Sequence, residues 1–317
     1  MDKIFGFINQ WIFAPILDFF LGLTGGNYAL SIFLFTLILN VILIPLSVKS
    51  QKASVSQLKI KPKLDELKKR CGDDKQKYNA GMQKLYQENN VSMGGGCLPM
   101  ILRLVLVMSV YYLVLSPLTY FTELKPDTIT EAINTLPEAF AVGKNTNYGQ
   151  LRLIQYAESL KSGPIYDAIK GINFDFFGIS LTDKPEFTLN FSKQGIDYKL
   201  WIIPFLSFAA AMFSSVLSLI QQKRSNPDAP NMAGMMLTMP IISLVIAFGA
   251  PAGLGFYWAC SSLIGAFIQM YVNHFYGPAK LVAKEQSSFI LKRAAEEQKY
   301  TAGKNSAQMK KGGTHLD

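Results

Sequence analysis

The sequence predicts an all-α integral membrane protein with five transmembrane helices around a hydrophilic groove that faces the cytoplasm. A cytoplasmic helical hairpin is expected between the first two spans. Half of the 317 residues are apolar, and the charged residues, 17% of the chain, are nearly absent from long apolar blocks. A helix needs about 20 mostly apolar residues to cross the hydrocarbon core of a bilayer. Blocks of this length favour membrane spans over the periodic apolar spacing of soluble helices.

Five blocks are candidate spans by this criterion. The fourth is short and Met-rich, with Met232, Met235, Met236 and Met239, and is therefore the weakest candidate. The predicted spans cover residues 28–48, 98–119, 200–220, 232–248 and 253–276.

Basic residues are concentrated in alternate connections between the spans. Residues 49–97 contain eleven Lys and Arg, the loop 221–231 contains two, and the tail 277–317 contains eight. Cytoplasmic segments carry an excess of basic residues, so these three are predicted to be cytoplasmic. The N-terminus is then outside and the C-terminus inside. The long loop 120–199 holds eight basic and ten acidic residues, and its charge indicates little about its side.

Residues 1–27 are predicted to form an amphipathic helix that lies along the membrane surface. Apolar side chains from Phe5 to Phe20 recur at helical spacing, and we expect Asn9, Gln10 and Asp18 to lie off this apolar face. No cleavable signal pattern is evident in this stretch. The alternative is a sixth span, which would move only the N-terminus to the inside.

The polar segments between the spans also have helical patterns. In 49–97 we predict an antiparallel hairpin, with one helix at about 50–70, a break at Cys71-Gly72, and a second helix capped by Asp73 or Asp74 and ending near Glu88. The outer loop has helical stretches at about 127–141 and 149–162, then a strand-like or turn-like run at 173–189. The basic tail is predicted to be helical to about residue 300 and disordered beyond it.

Polar residues inside the spans point to a site, because each costs free energy in hydrocarbon. Arg103 is the strongest case, since no acidic residue lies in any span to pair with it. The others fall on one face of each helix, and helix packing through small residues is an alternative reason for the serines. The candidate groove residues are Arg103, Asn40, Thr36, Ser207, Ser214, Ser218, Ser262 and Gln269.

Other classes of function lack their residues. The spans contain no paired carboxylates and no Ser–Lys or His–Asp constellation, so an enzyme is not expected. The three cysteines form no CxxC pair and there are two histidines, so we expect no metal and no cofactor. A small-solute secondary transporter is the alternative function, although no internal repeat is evident.

Several motifs resemble the YidC/Oxa/Alb family of membrane protein insertases, in the order and spacing typical of that family. They lie at the end of the first span, in the hairpin, at the start of the second span and in the last span. The matching segments are Ile44-Pro45-Leu46-Ser47, Ile60-Lys61-Pro62-Lys63-Leu64, Lys84-Leu85-Tyr86, Gly96-Cys97-Leu98-Pro99, Pro251-Ala252-Gly253-Leu254 with Tyr257-Trp258, and Gln269. The outer loop also contains a similar segment at 174–185, so residues 122–171 are an addition of unknown role.

This resemblance implies a bacterial cytoplasmic membrane protein that receives hydrophobic segments of nascent membrane proteins in a groove closed to the outside. The implied partners are nascent membrane proteins and the lipid bilayer, with the ribosome and the Sec translocon as further candidates. No small-molecule substrate is expected. The family has an Arg where this chain has Asn40, and a Gln where it has Arg103. We therefore hypothesise that the groove's positive charge has moved from the first span to the second.

Overall fold

The structure is a computed structural model that describes most of the chain, and the described part is mainly helical. It describes residues 6–72, 74–89, 91, 98–141, 148–188, 197–225, 233–277, 280, 287–288, 290–291, 293–294 and 297–298. A few side chains within helices, that of Arg103 among them, are outside this description. The chain divides into two compact units, Met1–Ser47 with Cys97–Tyr271 and Val48–Gly96 with Val272–Asp317.

The elements follow one another as helices with one short β-hairpin. The first five helices are α1 (Gly6–Leu23), α2 (Tyr28–Ile42), α3 (Ile44–Cys71), α4 (Lys75–Glu88) and α5 (Leu98–Leu115). Then come α6 (Pro117–Phe121), α7 (Pro126–Asn134), α8 (Glu138–Ala141), α9 (Gly149–Leu160), α10 (Pro164–Ile169), β1 (Asp175–Phe176) and β2 (Ile179–Ser180). They are followed by α11 (Ile202–Ser225), α12 (Ala233–Phe248) and α13 (Ala252–Tyr276).

Three of these helices are long and apolar enough to cross a membrane, and a bent pair raises the number to four. The three are α1, Tyr198–Arg224 and α13. The bent pair is Tyr28–Ile42 with Ile44–Ala53, whose axes meet at 44°. The apolar helices Leu104–Leu115 and Ala233–Phe248 are shorter. The chain is thus an all-α membrane protein, and the number of five spans stays a prediction.

Two helix ends differ from the limits of the predicted spans. The first span was expected to continue to residue 48 and the hairpin helix to begin near Ser50, but the helix breaks at Leu43 and α3 already begins at Ile44. Pro45 explains the break, because proline lacks an N–H and its ring clashes with the carbonyl four residues earlier. Likewise, α5 ends at Leu115 rather than 119, because Pro117 starts a separate short helix after Ser116.

Burial in the first unit is concentrated at one end of the apolar helices. We call this the loop end: α2, α11 and α13 begin there, α5 and α12 end there, and residues 117–141 and 148–188 adjoin it. The fully buried residues of α11 all lie within 202–210, and none lies within 211–224. The fully buried residues of α5 lie within 109–115, and none of the described residues 102–108 is fully buried. We call the other part of these helices the opposite half.

The described residues 117–141 and 148–188 form a small folded segment at the loop end. Helices α7 and α8 fall in the first predicted helical stretch and α9 falls in the second. The turn-like run contains the antiparallel β1–β2 hairpin, in which Asp175 pairs with Ser180 and Phe176 with Ile179. The hydrophobic core that includes Tyr28 and Leu113 also includes Ile154 and Phe174, so this segment shares the core of the bundle.

In the second unit, α3 and α4 form the predicted hairpin. The chain reverses after Gly72, whose φ of +56° is easy for glycine, and the Asp74 side chain caps α4 by accepting from the Lys77 N–H at 2.9 Å. A Cβ on Gly81 would lie 2.8 Å from the Leu67 Cδ1, so the two helices are in close contact there. At the end of the hairpin away from this turn, the Lys63 Nζ of α3 donates to the Oδ1 of Asn89, which follows α4, at 3.0 Å.

Candidate polar groove

The first candidate groove wall is the last part of α2. The Asn40 Nδ2 donates to the Thr36 carbonyl at 2.8 Å, and the Thr36 Oγ1 donates to the Ile32 carbonyl at 2.6 Å. Thr36 is completely buried, whereas Asn40 is half-buried. About one turn of helix therefore separates a packed residue from one that reaches the surface of the chain.

The serines of α11 show the same change along their helix. Ser207 is fully buried near the loop end, whereas Ser214 and Ser218 are half-buried in the opposite half. The Ser218 Oγ donates to the Ser214 carbonyl at 2.9 Å. Helix packing through small residues accounts well for Ser207, but Ser214 and Ser218 lie where the helix is not fully covered.

The remaining candidates lie on α13 and α5. Ser262 and Gln269 are both half-buried. Arg103 lies in α5, but its side chain is outside the described residues, so the proposed shift of the groove charge stays a hypothesis. Among the candidate side chains that the structure describes, hydrogen bonds join them within α2 and within α11 and not between helices.

These side chains therefore do not tie the helices together. Serine, threonine and asparagine side chains can bond to the carbonyl of the preceding turn of their own helix. Asn40 and Ser218 do so, which satisfies their donors without a partner helix. The half-buried polar surface in the opposite half is thus compatible with water and with an incoming polypeptide.

Asn9 is a buried polar residue that the sequence reasoning placed incorrectly. Gln10 and Asp18 are exposed as expected, but Asn9 is completely buried, and its Nδ2 donates to the Ser109 carbonyl of α5 at 2.9 Å. Asn9 precedes Phe13 by four residues, and residues four apart share a helix face. That spacing was the signal that could have placed it on the inner face.

At the loop end, the start of α13 is fixed by backbone hydrogen bonds. The Ala252 N–H donates to the Asp183 carbonyl at 2.7 Å and the Gly253 N–H donates to the Leu181 carbonyl at 2.8 Å. These bonds satisfy two of the amide groups that a helix N-terminus leaves without an internal partner. A Cβ on Gly253 would lie 3.1 Å from the Leu181 carbonyl oxygen and 3.3 Å from the Val114 Cγ1, which explains why a glycine fits here.

Helix α9 links three parts of the loop end. The Gln150 Nε2 donates to the Thr119 Oγ1 at 2.6 Å, and the Gln155 Nε2 donates to the Thr182 carbonyl at 3.1 Å and also to the Asp183 Oδ1. Just before the helix, the Tyr148 hydroxyl donates to the Gly249 carbonyl, between α12 and α13, at 3.2 Å. Tyr148 and Gln155, which belong to the added segment of unknown role, thus contact the chain beside the end of α12 and the start of α13.

Two carboxyl groups in this segment have perturbed acidities. Burial raises the pKa of the Asp183 carboxyl, while the Arg152 charge and the Gln155 hydrogen bond act in the opposite direction. Burial also raises the pKa of the Glu158 carboxyl, and the charges of Asp183 and Asp175 add to this. Ionisation of these two carboxyl groups is therefore less favourable than in water.

Comparison with known proteins assigns the chain to a family. The profile of the family described as "60Kd inner membrane protein" matches residues 19–279. The chain is similar to the protein named "Membrane protein insertase YidC" of Fusobacterium nucleatum, with 27% identity over 275 residues, 86% of this chain and 97% of the relative. It is similar to "Membrane protein insertase YidC 2" of Listeria innocua, with 22% identity over 315 residues, 97% of this chain and 85% of the relative.

Some relatives are much longer. The protein of Pelobacter propionicus named "Membrane protein insertase YidC" is 25% identical over 249 residues, which are 78% of this chain but 35% of that protein. The profile match covers all five apolar blocks and the hairpin, and it agrees with the motif resemblance. The chain therefore belongs to the 60Kd inner membrane protein family, the YidC/Oxa/Alb family of the sequence motifs.

Proposed function

We propose that this protein is a membrane protein insertase, which accepts hydrophobic segments of nascent membrane proteins and releases them into the bilayer. Family membership and the names of the similar proteins support this function. The observation that supports a groove as the working site is the decline of burial along α2, α5 and α11 away from the loop end.

The proposed mechanism follows from this uneven packing. The opposite half exposes Asn40, Ser214 and Ser218 partly, so water can reach the helices there, while the loop end is closed by packed side chains. The polar end of a client would stay hydrated in the groove as its apolar part enters lipid. Transfer of apolar surface from water into hydrocarbon is favourable by about 25 cal/mol per Å², so no nucleotide and no covalent step is needed.

We place the opposite half on the cytoplasmic side of a bacterial cytoplasmic membrane, with the N-terminus outside and the C-terminus inside. The basic residues of 49–97 and of the tail support this orientation. Arg103 on α5 would supply the groove's positive charge in place of a residue at Asn40. A cation within a membrane span would attract acidic residues of a client. The ribosome and the Sec translocon are proposed partners on family resemblance alone.

We place α1 along the membrane surface because of the amphipathic pattern of its sequence. It packs against α2, with the Thr24 and Ser31 hydroxyls 2.7 Å apart and the Phe13 and Phe35 ring centroids 5.7 Å apart. The length of α1 also meets the spanning criterion, so the sixth-span alternative stays open.

Reconstitution tests the proposed function. The purified chain is placed in liposomes and supplied with a labelled nascent client, without nucleotide, and protease protection of the client is measured. Integration above that of empty liposomes is expected. Uptake of a solute with no effect on the client would favour the transporter alternative and contradict the proposal.

Substitutions test the charge hypothesis in the same assay. Arg103→Ala is expected to reduce integration strongly, and a double change of Arg103→Gln with Asn40→Arg is expected to restore it. If Arg103→Ala leaves integration unchanged while Asn40→Ala abolishes it, the groove charge has not moved to α5.

A further inference from the structure

The tip of the β1–β2 hairpin carries an aromatic residue in an unfavourable backbone conformation. Phe177 and Gly178 connect the two strands, and their φ angles are +51° and +80°. A two-residue turn with both φ angles positive usually contains asparagine, aspartate or glycine, because side chains with a Cβ are strained there. Gly178 fits this rule and Phe177 does not.

Packing within the chain does not explain the aromatic ring either. Phe177 is 92% exposed, the highest value among the large apolar side chains that the structure describes. Its ring contact is with the neighbouring Phe176, at a centroid distance of 4.9 Å. Thus Phe177 is placed against the preference of the turn and gains little from the folded chain.

The hairpin lies beside the first turns of two apolar helices. The Phe176 ring packs on that of Phe256, with centroids 4.7 Å apart, and the Phe174 ring packs on that of Tyr28, with centroids 5.0 Å apart. Tyr28 is the first residue of α2, and Phe256 lies four residues, about 6 Å, into α13. The hairpin therefore lies beside the loop-end termini of these two apolar helices.

Other aromatic residues also cluster at the loop end. Phe187 stacks on Trp201 with centroids 5.9 Å apart, and Tyr198 contacts Trp201 at 5.5 Å, at the start of α11. Tryptophan and tyrosine are enriched at the interface between membrane and water. The charged residue nearest to Phe177 in the hairpin is the exposed Asp175. Because its charge is negative, it would not attract the hairpin tip to anionic lipid.

We propose that Phe177 inserts into the interfacial layer of the leaflet at the loop end and anchors the β1–β2 hairpin to lipid. Because the Leu181 carbonyl just after this hairpin accepts from the Gly253 N–H, the anchor also steadies the first turn of α13. The partner is a lipid surface recognised through apolar contact. This role is separate from client insertion.

Depth measurement by spin labelling tests the proposal directly. Cys71, Cys97 and Cys260 are replaced by Ser or Ala, and a nitroxide is attached after Phe177→Cys in the full chain. The chain is placed in phosphatidylcholine vesicles with and without phosphatidylglycerol. Glu131→Cys on exposed α7 is the water control, and Phe205→Cys, 48% exposed on α11, is the lipid control. Collision rates with oxygen and with a water-soluble nickel complex are then compared.

The label at 177 is expected to resemble the Phe205 control, with oxygen collisions exceeding nickel collisions in both lipid mixtures. A label that matches the Glu131 control would overturn the proposal. So would a label that enters lipid only when phosphatidylglycerol is present, since this would indicate electrostatic docking. A label protected from both reagents would indicate a protein partner, such as a second copy, and would also overturn it.

A second pair of variants separates lipid anchoring from turn chemistry. Phe177→Asn suits the turn but removes the apolar ring, whereas Phe177→Trp keeps an interfacial aromatic. In vesicles, exchange of the Gly253 amide hydrogen is expected to be several-fold faster in Phe177→Asn than in the parent, and unchanged in Phe177→Trp. Equal exchange in all three proteins would contradict anchoring.

Discussion

The two ends of the apolar helices are stabilised in different ways. At the loop end, residues distant in sequence are joined by hydrogen bonds, such as those from Gln155 to Thr182 and Asp183, and small residues such as Gly253 allow close contact. In the opposite half, Asn40 and Ser218 bond to carbonyls of their own helices. One end depends on tertiary contacts, whereas the other leaves polar surface available for a client.

The largest expected effect is at the loop end, on the turn between α1 and α2. A Cβ on Gly26 would collide with the Gly171 carbonyl, and the φ of Gly26 is +84°. Gly26→Ala should therefore lower the free energy of unfolding by about 2–3 kcal/mol. Denaturation in mixed micelles measures this. Gly22→Ala is the matched control, because a Cβ there meets nothing within 4 Å. If both variants are equally stable, the loop end is not tightly packed.

A smaller loss is expected from the hydrogen bonds of α9. Gln155→Ala leaves the partly buried Thr182–Asp183 segment without two donated bonds and should reduce stability by about 1–3 kcal/mol. Ser159→Ala on the same helix is the control, since the Ser159 Oγ donates to the Tyr156 carbonyl of its own helix. Hydrogen exchange of the Ala252 and Gly253 amides should accelerate only in Gln155→Ala. Unchanged exchange would mean that α9 does not hold α13.

In the opposite half, removal of a polar side chain should change stability much less. Ser218→Ala removes a bond to the serine's own helix, and its effect on the free energy of unfolding should be within about 0.5 kcal/mol. The same micelle denaturation measures this. A loss comparable to that of Gln155→Ala would contradict the difference between the two ends.

The pH dependence of the loop end should be the smallest effect. The folded pKa of Asp183 lies above its unfolded value, mainly because of burial, so the folded state retains the proton more strongly. The resulting stabilisation is complete below the unfolded pKa, about 3.9, and is lost as the pH rises through the folded pKa. The unfolding midpoint should therefore rise as the pH falls from 7 toward 4. Asp183→Asn should flatten this slope, and a steeper slope would contradict the assignment.

The sequence predicted the parts of the fold that depend on local pattern. The hairpin of α3 and α4, with Asp74 as a cap, followed from helical spacing and capping chemistry, as did helix α9. The break at Leu43 was missed because the apolar run continues through Pro45, although the proline signal was present. Local patterns do not determine where a continuous apolar block bends.

The candidate site was predictable in composition but not in depth. Thr36 and Asn40 share a helix face, and so do Ser207 and Ser214, yet one member of each pair is buried and the other is half-buried. That difference depends on which neighbouring helices cover each turn. The role of Asn9 and the hydrogen bonds of α9 likewise depend on contacts between residues distant in sequence.

Crosslinking tests the central claim, that clients are received in the opposite half and not at the loop end. A photoreactive amino acid is placed singly at Asn40, Thr36, Ser214 and Ser207, and adducts with a stalled nascent client are measured in cells. Thr36 and Asn40 both lie on α2, and Ser207 and Ser214 both lie on α11. The two positions of each pair therefore differ mainly in their distance from the loop end. We expect adducts from Asn40 and Ser214 and few from Thr36 and Ser207. Equal adducts from all four positions, or adducts mainly from Thr36 and Ser207, would contradict the account.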